Sequence, residues 1–161
     1  MDVVLFLEKG IWLGIAAIGF AILFNVPRRA LLSIFIIGAL GGLTKFLMLE
    51  YKIVIVLAVL CGASLIGFLS VFAAHRRNCP PITFAIPAVI PMIPGLFAYK
   101  AMIGIIKLTS EKDPVAYSKI FFEAVNNGLT TFFVLVVLAT GVAIPLLITR
   151  KNTVKRIKTE E

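Results

Sequence analysis

Three prolines and a glycine interrupt one apolar stretch of this sequence. Pro87, Pro91 and Pro94 fall within eight residues, and Gly95 follows the last of them. Because each proline lacks an amide donor and clashes with the preceding turn, a continuous helix is not expected there. Unpaired backbone at membrane depth is tolerated only inside protein or beside a water-filled cavity, and broken helices of this kind form transporter substrate sites. The stretch predicts either such a site or a kinked helix that packs against its neighbours and binds nothing.

Two residues after this interruption could act on a substrate. Tyr99 and Lys100 lie four and five residues beyond Gly95. An ammonium group within an apolar segment is costly unless it is paired, hydrated or able to reach the membrane surface. Lys100 is therefore either a counter-charge for a carboxylate substrate, a partner of Glu123, or a side chain that extends to the interface.

A second polar cluster opens the last apolar segment. Glu123 and Asn127 are four residues apart and Asn126 is three from Glu123, so the three share one helix face. Their side chains could hydrogen-bond a substrate, an ion or a neighbouring helix. The candidate substrate site thus contains eight residues: Pro91, Pro94, Gly95, Tyr99, Lys100, Glu123, Asn126 and Asn127.

The sequence lacks the residues that several kinds of enzyme require. A single histidine and the absence of HExxH leave a zinc hydrolase unsupported. The stretch from Gly38 to Lys45 resembles a phosphate loop, but the glycine required immediately before the lysine is missing. No Gly-x-Ser-x-Gly motif is present. We therefore expect no enzyme activity, no metal site and no cofactor.

The composition indicates the elements that position these residues. Of 161 residues, 60% are hydrophobic and only 15% are charged, whereas about 25% are charged in soluble domains. Such a chain predicts an all-α, polytopic membrane protein, with five apolar segments as the expected passes and four as the alternative. The expected segments are Val3 (or Gly10) to Phe24, Ala30 to Leu49, Ile53 to Ala74, Ile82 to Ile106 with its break, and Phe121 to Thr149.

The distribution of charge predicts the orientation. With five passes and the N-terminus outside, the inner segments hold nine basic residues and two acids, and all six arginines are inside. The positive-inside rule therefore favours an outer N-terminus and a cytoplasmic C-terminus. The domains expected are a transmembrane domain, 1–150, and a basic tail, 151–161. Because the net charge of +8 is explained in this way, we expect a lipid bilayer and no nucleic acid as partner.

Small residues at four-residue spacing mark possible helix contacts. Gly10 and Gly14, Gly38 and Gly42, and Ala63 and Gly67 are such pairs. Small residues allow helices to approach closely in lipid. The spacing alone leaves open whether the contacts lie within the chain or between subunits.

Several short motifs together resemble the threonine/serine exporter family. The motifs are Phe24-Asn25-Val26-Pro27-Arg28-Arg29-Ala30-Leu31, Ile90-Pro91-Met92-Ile93-Pro94-Gly95, Ala98-Tyr99 and the pair Asn126/Asn127. The resemblance extends from about Leu13 to Arg150, and it is to the small bacterial subunits that correspond to the second membrane half of the fused exporters.

The resemblance implies an exporter subunit of the bacterial inner membrane that works with a second membrane subunit as a hetero-oligomer. The substrates implied are small carboxylate-bearing metabolites: threonine, serine or a succinate-like dicarboxylate. From the residues themselves, we expect glycine-flanked backbone at the break to receive the carboxylate, and Tyr99 or Asn127 to orient it. Two other functions stay open, a non-transporting assembly subunit and a homo-oligomeric channel.

Overall fold

The described part of the chain is entirely helical. The computed structural model describes the backbone of residues 3–157 and, within it, the side chains of residues 4–149. These residues form six α-helices and one 3₁₀ turn without any strand: α1 Val3–Leu23, α2 Arg28–Glu50, α3 Ile55–Arg77, α4 Ile82–Val89, the 3₁₀ turn Ile90–Met92, α5 Gly95–Leu108 and α6 Pro114–Ile157. The predicted all-α class is confirmed.

Four helices, α1, α2, α3 and α6, are each long and apolar enough to cross a membrane. A fifth span results if α4 and α5, on either side of the break, are taken together. Large apolar side chains such as Ile22, Leu32 and Phe72 are more than 60% exposed on the helix surfaces, as expected where lipid replaces water. The count agrees with the five predicted passes and the alternative of four.

The predicted interruption of the fourth segment is confirmed, but it is shorter than the proline spacing suggests. Pro87 is buried within α4, which continues to Val89. The helix gives way to the 3₁₀ turn at Ile90 and starts again at Gly95. Pro91 and Pro94 together account for the break, because neither can donate the amide hydrogen bond that would continue the helix.

Three helices end with a residue in the left-handed conformation. Asn25, Lys52 and Asn78 have φ angles of 55°, 58° and 50° and follow α1, α2 and α3. Asparagine tolerates this conformation better than most residues.

The chain divides into two compact units, of which the first contains residues 3–92 and 137–157. In this unit α1 packs on α2, α2 on α3, and α4 on all three. A Cβ added at Gly10 would lie 2.7 Å from a carbon of Leu43, and one added at Gly38 would lie 2.7 Å from the Cβ of Ala17. The spaced glycines of α1 and α2 therefore make contacts within the chain.

Helices α2 and α3 approach each other at least as closely as α1 and α2 do. A Cβ added at Gly62 would lie 2.6 Å from the backbone oxygen of Gly41. Ala63 and Gly67 form a second close contact within this unit, against Gly141 and Pro145 of the distal part of α6. The predicted small-residue pair on α3 thus also packs inside the chain.

The predicted basic tail begins within a helix. The backbone of α6 continues through residue 151 to Ile157. The side chains of residues 151–161, which carry the predicted tail, lie outside those that the structure describes.

Candidate functional site

The second compact unit, Ile93–Val136, is a hairpin of α5 and the first part of α6. Asp113 begins α6: its carboxylate oxygens accept hydrogen bonds from the backbone N–H groups of Val115 and Ala116, at 3.3 and 3.2 Å. Pro114 occupies the first helical position, where a missing amide donor costs nothing. These local interactions explain why the chain turns at this point.

Small residues bring the two helices of the hairpin close together. A Cβ added at Gly104 would lie 2.7 Å from the Cβ of Ala124, and one added at Gly128 would lie 3.9 Å from that of Ala101. Ala101 and Ala124 are both buried. Close contact between helices in lipid depends on small residues of this kind.

A cleft of about 480 Å³ lies beside this contact. This volume is in the range of small-molecule sites. Four of the eight predicted site residues line it, namely Tyr99, Lys100, Glu123 and Asn127. Because they come from facing helices of one hairpin, a single small molecule could contact all of them.

The charged groups of the cleft are of both signs. Lys100 and Lys107 contribute ammonium groups and Glu123 contributes a carboxylate. Among the described residues, no ion pair joins Glu123 to either lysine. All three side chains are exposed, so they can interact with a ligand without first breaking a protein contact.

Asn127 is held in a defined orientation. Its Nδ2 group donates a hydrogen bond of 2.8 Å to the backbone oxygen of Glu123, one turn earlier. This interaction directs the side-chain oxygen, an acceptor, away from the helix backbone. Asn127 can therefore accept a hydrogen bond from a ligand ammonium or hydroxyl group.

Comparison with known proteins assigns the chain to a family. The model of the family described as "Threonine/Serine exporter, ThrE" matches residues 9–148. The chain belongs to the threonine/serine exporter family. An uncharacterized protein of Haemophilus influenzae is 39% identical over 132 residues, which cover 81% of this chain and 43% of the relative. No solved structure matches the chain.

This member of the exporter family thus spans less than half the length of that curated relative. The family match covers all the helices that carry predicted site residues, from the 3₁₀ turn to the first half of α6. The resemblance read from the motifs is confirmed.

The other four predicted site residues do not line the cleft of this exporter-family chain. Pro91 lies in the 3₁₀ turn, Pro94 is the buried residue before α5, and Gly95 is the first residue of α5. Asn126 is exposed on α6 beside the cleft residue Asn127.

The first turn of α5 uses most of its own amide groups. Gly95 N–H donates to the oxygen of Ile93 at 2.9 Å, and the N–H groups of Phe97 and Ala98 both donate to that of Pro94. The N–H group of Leu96 is the one donor of this turn that these hydrogen bonds do not use. The break therefore presents fewer available donors to an anion than an uncapped helix start would.

Two lysines have positions that the sequence analysis did not assign to a site. Lys107 lines the cleft, and its signal in the sequence is its spacing of seven from Lys100, which places both on one helix face. Lys45 lies within α2, where its ammonium group is 3.5 Å from the backbone oxygen of Met92 and 5.8 Å from the ring centre of Phe46.

Metal chemistry has no obvious ligands here. Within the part of the chain that the structure describes, no group of three or more His, Cys, Asp or Glu side chains could hold a metal ion. The chemistry offered by the cleft is charge and hydrogen-bond recognition of a small molecule.

Proposed function

We propose that this chain is a membrane subunit of an exporter for threonine and serine, and that the α5–α6 cleft binds the substrate. Family membership supports the class of activity. The observation that carries the assignment of the site is that two ammonium groups and one unpaired carboxylate line the same cleft. A zwitterionic amino acid has one carboxylate and one ammonium group close together, and these charges are complementary to those of the cleft.

Each group of the substrate has a partner in this proposal. The substrate carboxylate binds the ammonium groups of Lys100 and Lys107, because charge-assisted hydrogen bonds are the stronger ones. The substrate ammonium group binds the Glu123 carboxylate and the side-chain oxygen of Asn127. The substrate hydroxyl group lies against the Tyr99 hydroxyl, which can donate or accept.

The break contributes by fixing where α5 begins. Because Pro94 precedes the helix and Gly95 opens it, the face that carries Tyr99 and Lys100 is set relative to the start of the helix. Asn126 extends the polar surface beside the cleft, where it can receive substrate that enters or leaves.

We propose a second membrane subunit as the partner of this chain. The matched relative has more than half of its length outside the match, so the family includes proteins with additional chain beside this region. Transport then requires both parts, in the inner membrane of a bacterium. The basic ends of the helices favour an outer N-terminus and a cytoplasmic C-terminus.

Efflux of labelled solutes tests this proposal. Cells that express the chain with and without a candidate partner are loaded with labelled threonine, serine or succinate. We expect partner-dependent efflux of threonine and serine, reduced at least about tenfold by Lys100→Met, since a hydrogen bond to a charged group contributes about 1.5–3 kcal/mol. Lys112→Met, in the loop before α6, removes the same charge outside the cleft and is the matched control.

A dicarboxylate such as succinate is the second candidate substrate. The observation that favours it is that the cleft contains two lysines, one for each carboxylate. Partner-dependent efflux of succinate without efflux of threonine would establish this alternative. Conductance of the purified chain alone would instead indicate a channel, and a stable complex without efflux of any solute would indicate an assembly subunit.

A further inference from the structure

A second cavity lies in the first compact unit, at the end of the helices where the arginines concentrate. Its volume is about 780 Å³. It is lined by the end of α3, the following loop, the start of α4 and the distal part of α6, including Ala74, Cys79, Pro81, Ile82, Leu146 and Leu147. The lining is mainly apolar, and none of its residues belongs to the proposed substrate cleft.

One arginine is held against the wall of this cavity by a contact between distant parts of the sequence. Arg29, in the first turn of α2, donates a hydrogen bond of 3.5 Å from Nη2 to the sulfur of Cys79. The Cys79 thiol donates in turn to the backbone oxygen of Arg77 at 3.4 Å. A guanidinium group has five donors, and this contact positions Arg29 while using only one of them.

The surroundings of Arg29 are strongly positive. The segments 25–29 and 75–81 together contain four arginines and one histidine but no acidic residue. The first turn of α2 has no side-chain cap, so its N–H groups add a partial positive charge. Arg76 lies over the ring of Phe72, with 5.5 Å between the guanidinium carbon and the ring centre. An anionic group is therefore complementary to this end of the unit.

The shape and lining of the cavity define the rest of the ligand. Its volume corresponds to about two dozen waters at about 30 Å³ each, which is far larger than an inorganic phosphate ion. Leu147 and Ile82 are 61% and 55% exposed, so the cavity opens to the outer surface of the helices that line it. A ligand with an apolar chain and an anionic headgroup fits both the cavity and the arginine.

We propose that this cavity binds an anionic phospholipid, with one acyl chain inside the cavity and the phosphate on Arg29. Basic pockets between transmembrane helices bind anionic headgroups by the same physical principle. Because the contact between Arg29 and Cys79 joins α2 to the loop between α3 and α4, a lipid bound there also connects these elements.

Native mass spectrometry of the full chain in mild detergent tests the proposal with two probes that have identical acyl chains. Phosphatidylglycerol is anionic and phosphatidylcholine is zwitterionic. We expect phosphatidylglycerol to be retained at least about fivefold better, and Arg29→Gln to remove that preference, since one basic residue near a membrane surface changes anionic lipid binding about fivefold. Lys112→Gln, with the same loss of charge in the α5–α6 loop, is expected to preserve it.

A second variant tests the acyl-chain part. Leu147→Trp adds volume at the cavity wall and is expected to lower retention of both lipids, whereas Leu135→Trp, at another exposed leucine of α6 outside the cavity, is not. Arg29→Lys keeps the charge and checks that the chain folds. Equal retention of the two lipids, equal effects of Arg29→Gln and Lys112→Gln, or displacement of the lipid by millimolar inorganic phosphate would each overturn the proposal.

Discussion

Replacement of Glu123 by Gln distinguishes an amino-acid cleft from a dicarboxylate cleft. The substitution keeps the size of the side chain and removes the one carboxylate that lines the cleft. If the substrate ammonium group binds Glu123, threonine loses an opposite charge. If succinate enters the same cleft, its second carboxylate is relieved of repulsion by a like charge.

The exposure of Glu123 sets the expected size of the effect. Two unit charges 4 Å apart interact by about 4 kcal/mol at an effective dielectric constant of 20 and by about 1 kcal/mol in bulk water. Because Glu123 is exposed at the edge of the cleft, we expect a value near the lower limit, about 1–2 kcal/mol. At tenfold per 1.4 kcal/mol, the apparent KM for threonine then rises about 5- to 30-fold, and that for succinate falls or stays unchanged.

The assay is concentration-dependent efflux from cells with measured membrane levels of each variant. Glu8→Gln is the matched control, because it removes an acid of the same kind from α1, outside the cleft. The different response of the two solutes separates recognition from a general loss of folding, which would lower the efflux of both. An unchanged threonine KM in Glu123→Gln, at normal protein level, would refute the proposed role of this carboxylate.

Three further predictions concern helix packing and capping; thermal unfolding in detergent measures the first two, and efflux measures the third. Gly62→Ala is expected to cost about 1–3 kcal/mol, because the new Cβ would lie 2.6 Å from a backbone oxygen of α2; Gly19→Ala, which meets nothing within 4 Å, should instead gain about 0.5–1 kcal/mol from helix propensity. Asp113→Ala is expected to cost about 1 kcal/mol through loss of the cap of α6, and an unchanged melting temperature would contradict that assignment. Gly104→Leu is expected to separate the hairpin helices at Ala124 and to abolish substrate efflux even where the protein reaches the membrane; normal efflux would show that the close contact is dispensable.

The helical architecture could be predicted because its signals lie along the sequence. Apolar segments of about 20 residues specify membrane-spanning helices. The absent amide donors of Pro91 and Pro94 specify a break in the helix, whatever packs around it. The sequence was less informative about Pro87, which has the same chemistry but remains inside α4. A single proline in the first two turns of a short helix removes one hydrogen bond, and the neighbouring packing decides whether the helix continues.

The candidate site could be predicted only in part because it depends on the register between two helices. Spacing placed Glu123 and Asn127 on one face of α6, and the same rule would have joined Lys107 to Lys100 on α5. Which turn of α5 faces which turn of α6 is set by the contact between Gly104 and Ala124, and periodicity within either helix contains no information on that pairing.

Two lysines in apolar segments, Lys45 and Lys100, also show what the sequence does not contain, namely the surroundings of each charge. Lys45 and Lys100 are each a single cation in an apolar segment, so the sequence gives both the same cost. In the structure Lys45 is half-buried, and its ammonium group lies near the backbone oxygen of Met92 and the ring of Phe46. Lys100 is exposed in a cleft with a carboxylate that it does not pair with.

The small residues of the hairpin explain how packing and recognition can occupy the same short segment. Because Ala101, Gly104 and Ala124 hold the helices together with almost no side-chain volume, the flank of the contact stays open for longer side chains. A larger residue at the contact would push the helices apart and widen the cleft, so that Lys100 and Glu123 could no longer contact one small molecule. The selectivity proposed for this cleft therefore depends as much on the residues that bring the helices together as on the charged groups that meet the substrate.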